Sequence, residues 1–228
     1  MTFTLLGGRL RMAGKPPAED ALWLSASVAP VMRGCRILDA GAGAGVAGLA
    51  LCCRLPGTFV TGIELQHDLT AQANENAKLN GFETYHCEAG DILQFAPARK
   101  FDGVICNPPF HAAARGHHSA DPAKQLAHHQ PDDLLERWVA HLASLTDGPL
   151  HLMVHAANED ELKPLAAWLK WGAVVTPLAT TASRPPKRLL VVLAPAAQPV
   201  WQVNAPLAAY DPAIRKAVLT DGLALSEL

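Results

Sequence analysis

Asn107-Pro108-Pro109-Phe110, closing the run FDGVICNPPF at 101–110, carries the residue types that point most narrowly to chemistry. Two consecutive prolines fix the backbone and remove its N–H donors. The Asn107 side-chain oxygen and the Pro108 carbonyl are left as acceptors, able to take both hydrogens of one exocyclic amine. An aromatic amine is a weak nucleophile because its lone pair is delocalised into the ring. Drawing its hydrogens out of plane localises that pair and aims it at an electrophilic carbon. Phe110 can stack on the planar group that bears the amine. Displacement at a sulfonium methyl then needs mainly positioning and electrostatics, because the leaving group is already activated. No strong base is needed before transfer; the proton can leave to water afterwards.

A second constellation could hold the methyl donor. Asp39 ends a β-branched run and leads into Ala40-Gly41-Ala42-Gly43-Ala44-Gly45, where glycines allow a sharp turn and close approach of a ligand. Glu64, followed by Leu65, closes the next run, where a carboxylate can accept both ribose hydroxyls of an adenosine. Gly43-x-Gly45-x-x-Gly48 also fits the dinucleotide fingerprint, so the turn alone does not separate NAD from another adenosine cofactor. Asp39 shifts the balance: a carboxylate is poorly matched to a pyrophosphate but suits the cationic amino-acid part of S-adenosylmethionine, directly or through water. Asp91-Ile92, in AGDI, is placed to accept from an adenine amino group, although an Asp after a strand is as often a helix cap. An NAD-dependent oxidoreductase is disfavoured by Asp39, by the Asn-Pro-Pro-Phe run and by the lack of an evident His/Lys or Tyr/Lys pair.

These groups need a scaffold that brings them to one edge. Runs at 35–40, 58–64, 83–89, 101–107 and 150–156 alternate with helical stretches at 45–54, 67–80 and 132–145, the pattern of a parallel sheet covered on both faces. Two further runs, 173–180 and 188–194, are joined by TASRPPK, too short for anything but an antiparallel hairpin. The expected fold is α/β: a Rossmann-like, seven-stranded, mostly parallel sheet with a C-terminal antiparallel hairpin and helices on both faces. One domain spans 1–228, with an N-terminal helical extension (1–34, helix at 17–31), a core (35–195) and a C-terminal extension (196–228, helix at 212–219). Trp23, Trp138, Trp168, Trp171 and Trp201 read as packing residues, mostly on helices.

Composition narrows the class. Of 228 residues, 50% are hydrophobic and 18% charged, which supports one sizeable core and excludes a disordered chain. Glycine, proline or charge interrupts every apolar run before it could span a membrane, and MTFTLLGGRLRMAGK lacks a signal peptide's pattern. Cys35, Cys52, Cys53, Cys87 and Cys106 lack CxxC spacing and read as reduced, mostly buried thiols of a cytoplasmic protein. The net charge of −2 argues against a wholly basic nucleic-acid binder. Residues 1–36 carry five Lys/Arg against two acids and residues 184–228 five against three, so both ends are basic around an acidic centre. A monomer is the expectation.

The motifs DAGAGAG, GIELQ, AGDI and NPPF, in this order and spacing, resemble the Rossmann-like S-adenosylmethionine-dependent amino-methyltransferases. More narrowly, LLGGRLRM, EDALWLSASV (19–28), GIELQHDLTAQANENAKLNG (62–81), DPAKQLAHH (121–129) and SRPPKRLLVV resemble bacterial tRNA (adenine-N6)-methyltransferases acting on valine tRNA. The resemblance implies that Asp39, Gly41, Gly43, Glu64 and Asp91 bind cofactor, with S-adenosylhomocysteine as product; Ala42, Gly45, Leu65, Ile92 and Asn107 are further candidate cofactor contacts. It implies that Asn107, Pro108, Pro109 and Phe110 hold the target adenine, and that Asp20 lies near the entrance. RMAGKPPA at 11–18 departs from the family's Gly-Tyr/Phe-Arg-like pattern, which weakens the likeness on that side of the pocket. Methylation of another planar amine, in ribosomal RNA or a protein glutamine, fits NPPF equally.

Two basic sets could meet RNA phosphates: Arg9, Arg11 and Lys15 at the start, and Arg184, Lys187 and Arg188 around the hairpin turn; solvated charge explains any one of them alone. His111, His117, His118, His128 and His129, with Arg115, crowd the stretch after NPPF. Their adjacent doublets do not offer metal-ligand spacing, so no metal is expected. His128 and its neighbours read equally as a polar loop or as an RNA contact.

Overall fold

Runs that are apolar on both sides become central strands because each face of the sheet is covered. A computed structural model of the chain describes residues 1–17, 19–108 and 134–228. Five strands run parallel: β3 (Arg36–Ala40), β4 (Phe59–Glu64), β5 (Tyr85–Ala89), β6 (Gly103–Cys106) and β7 (Leu150–His155). They lie in the order β7-β6-β3-β4-β5. Antiparallel to β7 runs β9 (Arg188–Pro195), which in turn pairs antiparallel with β8 (Trp171–Ala179). The expected seven strands and terminal hairpin are therefore present, with β9 inserted between β7 and β8.

Side chains alternate between two cores. Ile37, Val60 and Ile105 face α1 (Asp20–Ser27), α2 (Val46–Arg54) and α3 (His67–Asn80). Leu38, Ile63, Val104 and Cys106 face α4 (Leu134–Ser144) and α5 (Glu159–Leu169). Burial of this kind contributes about 1.5–3 kcal/mol per large apolar side chain.

Several expectations need correction. The N-terminal extension is not only helical. It opens with a hairpin of β1 (Thr2–Leu5) and β2 (Leu10–Ala13) that seats Leu10 and Met12 in the core. The helix placed at 17–31 is shorter, Asp20–Ser27, with a separate 3₁₀ turn starting at Pro30. The sheet gains β10 (Trp201–Val203) and β11 (Leu207–Ala208), which pair parallel with β8 and bring it to nine strands. Helix α5 was not expected, because Pro164 interrupts its pattern. The C-terminal helix α6 (Pro212–Arg215) continues as a π turn through Thr220. Of the tryptophans, Trp168 is 72% exposed, and Trp171 and Trp201 lie on strands.

The five cysteines are free; Cys52, Cys87 and Cys106 are buried, while Cys35 and Cys53 are half-buried. Among the described residues, no helix is long and apolar enough to cross a membrane.

Candidate active site

The strand order reverses direction at β3, with β4 on one side and β6 on the other. Such a switch point opens a crevice at the carboxyl ends of the strands. The glycine turn leaves the end of β3, Glu64 ends β4, Asp91 follows β5, and Asn107 follows β6. The four groups picked out along the sequence therefore rim one edge.

The turn needs glycine at defined points. Gly45 has φ +84°, and a Cβ there would sit 2.8 Å from the Tyr85 hydroxyl and 3.1 Å from Ala73. Gly48 has ordinary helical backbone, but a Cβ would stand 2.7 Å from both Asp39 Oδ2 and the Tyr85 ring. Helix α2 can therefore press onto the sheet only with glycine at that point.

Four N–H groups of the turn already donate within the protein. Those of Gly41 and Ala42 go to the Ile63 carbonyl, that of Gly43 to Glu64 Oε2 at 2.8 Å, and that of Gly45 to the Ala42 carbonyl. A pyrophosphate would want those donors, and it would meet two acids instead. Asp39 is 2% exposed, and its Oδ2 accepts from the Gly48 N–H at 3.0 Å. Burial pushes its carboxyl up to about 7; the Gly48 N–H opposes this, and nearby Glu64 adds to it. A cationic ligand group would restore its charge, so the turn fits a cofactor bearing an ammonium better than a dinucleotide.

Glu64 is buried, and its Oε1 accepts from the Gln66 N–H at 2.9 Å. Each of its oxygens retains a second acceptor position for a ribose hydroxyl. Asp91 is a helix cap: Oδ1 accepts from Leu93 N–H at 2.9 Å and Oδ2 from Gln94 Nε2 at 3.1 Å. Ile92 is buried behind it and Leu65 is exposed beyond Glu64. Trp138 on α4 was read as packing alone, yet its ring lies 3.4 Å from where a Gly41 Cβ would stand. No spacing in the sequence announces that contact, because α4 is distant along the chain.

On the other side, Asn107 is exposed and Pro108 is buried. Pro109, Phe110, Arg115 and the histidine-rich stretch with His128 lie outside the described residues. Because β9 runs antiparallel, its first residue, Arg188, stands opposite His155 at the same carboxyl edge. Arg188 is two strands from β6, about 10 Å at the usual spacing. The link carrying Arg184 and Lys187, both exposed, rims that edge too. Arg188 Nε donates to Asp20 Oδ2 at 3.0 Å, so two residues singled out separately form one half-buried ion pair. Lys15 is exposed just beyond β2. Arg9 has a different use: its guanidinium donates to the Leu6, Thr220 and Asp221 carbonyls and ties the first hairpin to the C-terminal turn. Among the described residues, no cluster of His, Cys, Asp and Glu could hold a metal ion.

Residues 23–135 match the family described as methyltransferase small domain. The chain is 32% identical over 171 residues to the tRNA1(Val) (adenine(37)-N6)-methyltransferase of Aeromonas hydrophila, covering 72% of this chain and 71% of that one. It belongs to this family. Proteins of the same name from Vibrio campbellii and Yersinia pestis are 30% identical over 109 residues and 36% over 99. Those two matches span 47% and 42% of this chain and 44% and 40% of the relatives' own lengths. Among solved structures, a predicted O-methyltransferase of Agrobacterium tumefaciens superposes with a TM-score of 0.68 at 23% identity, covering 86% of this chain and 94% of its own. Magnesium protoporphyrin IX methyltransferase of Synechocystis, with S-adenosylmethionine bound, gives 0.53 at 21% identity over 76% of each chain. At these identities the likeness establishes the Rossmann-like fold alone.

Proposed function

We propose that this protein transfers a methyl group from S-adenosylmethionine to N6 of adenine 37 in a valine tRNA, in the cytoplasm. The observation that carries the reading is the meeting, at one switch point, of an acid-lined glycine turn and the Asn107-Pro108 strand end. S-adenosylmethionine supplies a methyl group already activated on sulfur.

The chain's residues bind and aim. Asp39, held beneath the turn, provides the negative charge that offsets the cofactor's ammonium. Glu64 fixes the turn through Gly43 and keeps acceptor positions for ribose hydroxyls. Asp91, steadied by its own cap bonds, offers a remaining acceptor position to the adenine amine. Asn107 Oδ1 and the Pro108 carbonyl accept the two hydrogens of the target amine and turn its lone pair toward the methyl carbon. Phe110, three positions on in the sequence, supplies the stacking face. Arg184, Lys187 and Arg188 take phosphates beside the target nucleotide, with Lys15 as a further cation on the N-terminal side and Asp20 setting the Arg188 guanidinium.

The test is incubation of unmodified tRNA, ribosomal RNA and cell protein with methyl-labelled cofactor. N6-methyladenosine in the tRNA pool is expected. Label in methylguanosine or methylglutamine would retain the amine chemistry and remove tRNA as substrate.

A further inference from the structure

Helix α3 carries three amide side chains at a four-residue spacing, Gln72, Asn76 and Asn80, which places them on one face. That face lies along β2, whose outer edge would otherwise present unpaired backbone groups. The three amides satisfy it. Gln72 Nε2 donates to the Ala13 carbonyl at 2.7 Å, and the Ala13 N–H donates to Asn76 Oδ1 at 2.7 Å. Asn80 accepts from the Arg11 N–H at 2.8 Å and donates to the Arg11 carbonyl at 2.6 Å. Gly14 turns the chain away just past the strand with φ +105°, and a Cβ there would stand 1.8 Å from Gln72 Nε2.

Asn76 differs from its two neighbours. It is fully buried, and its Nδ2 donates to the Ala44 carbonyl at 3.1 Å, inside the glycine turn. One side chain therefore bridges the N-terminal hairpin and the cofactor turn. The turn is gripped from two sides, by Glu64 at the Gly43 N–H and by Asn76 at the Ala44 carbonyl. With the peptide planes that flank the Gly43–Ala44 pair each held by one bond, the open face of Gly43 keeps one orientation; a Cβ on Gly43 would meet nothing within 4 Å.

We propose that Asn76 is a positioning residue of the cofactor turn, anchored to the N-terminal hairpin and acting on cofactor affinity through the Ala44 carbonyl. This rests on reading the turn as the S-adenosylmethionine site. The amide acts by geometry: a partly buried carbonyl that loses its donor reorients or takes up water, and either change moves the adjoining turn.

The experiment uses the full chain and S-adenosylhomocysteine as the titrated probe, followed by calorimetry. Wild-type binding establishes the site itself; its absence would sink the cofactor reading and leave Asn76 with no role to test. Asn76→Asp, titrated at alkaline pH so that its carboxyl is ionised, keeps the acceptor for Ala13 and removes the donor to Ala44. It is expected to raise the dissociation constant about tenfold and the KM for S-adenosylmethionine alike, with kcat at saturation unchanged. Asn80→Ala loosens the hairpin and removes a bond to the Asn76 backbone carbonyl, but leaves the Asn76 amide and its bond to Ala44 in place; it is expected to lower the melting temperature while leaving affinity within about twofold. Should Asn76→Asp fail to fold, Asn76→Ala removes both amide bonds, and its comparison with Asn80→Ala separates the turn from the hairpin. Wild-type affinity in the Asn76 variant, or equal weakening by Asn80→Ala, would overturn the proposal.

Discussion

The two halves of the catalytic edge are built differently. On the β3-β4-β5 side, every singled-out acid is tied to backbone: Asp39 to Gly48, Glu64 to Gly43 and Gln66, Asp91 to Leu93. On the β6-β7-β9 side, Asn107, Arg184 and Lys187 are exposed, and Arg188 is held by another side chain, Asp20. A small cofactor with fixed charge positions rewards a preorganised cradle. A large polyanion instead needs accessible cations and a rim that tolerates its bulk. Under the proposed function, the contrast separates the two halves by what each would receive.

The largest expected effect comes from removing the one side chain proposed to hydrogen-bond the reacting amine. Asn107→Ala should lower methyl transfer at least about a hundredfold, the scale seen when one transition-state hydrogen-bonding group is lost. S-adenosylhomocysteine affinity should stay near wild type by calorimetry; a parallel loss of both would erase the distinction between the halves.

The cofactor side should respond to pH. With the Asp39 carboxyl raised to about 7, the free protein holds a proton there at lower pH that a cationic ligand must expel. Cofactor affinity should therefore climb by about tenfold between roughly pH 6 and 8, with proton release approaching one at the acid end. Calorimetry in buffers of differing ionisation enthalpy measures that proton. The same group works against the empty fold. Its raised folded value means that stability is greatest below about pH 4 with respect to this carboxyl and falls as pH rises toward 7. A pH series of melts on Asp39→Asn against wild type checks the sign.

A comparable change should appear on the RNA side alone. Arg184→Ala with Lys187→Ala should reduce the slope of log affinity for tRNA against log salt by about 1.5 and weaken binding about tenfold at moderate salt. Cofactor affinity should not follow. The smallest effect is on stability: Asp20→Asn breaks a pair whose side chains are 27% and 28% exposed, worth no more than about 1 kcal/mol in a denaturant titration.

Much of this architecture could be read from residue patterns because it depends on local signals. Short strand-like runs alternating with helical stretches mark β3 to β9, and the glycine turn marks the crevice through a steric need at Gly45 and Gly48. The omissions have separate causes. β10 and β11 are only three and two residues long and show no usable period. Pro164 broke the pattern of α5. The first hairpin did carry a signal, Gly7-Gly8 between TFTL and LRMA, with Leu10 and Met12 alternating against Arg11. Partnerships were least legible. That Asp20 meets Arg188, that Trp138 abuts Gly41, and that Asn76 reaches Ala44 all depend on tertiary approach between segments far apart in the chain.

The central claim is that one edge joins a methyl donor to a tRNA adenine amine. Its most direct test compares two valine tRNA transcripts, one with adenine at position 37 and one with guanine, each incubated with the protein and methyl-labelled cofactor. Nucleoside mass spectrometry should find N6-methyladenosine in the first and no label in the second. Equal label in both, or label in a nucleoside other than N6-methyladenosine, would contradict the account.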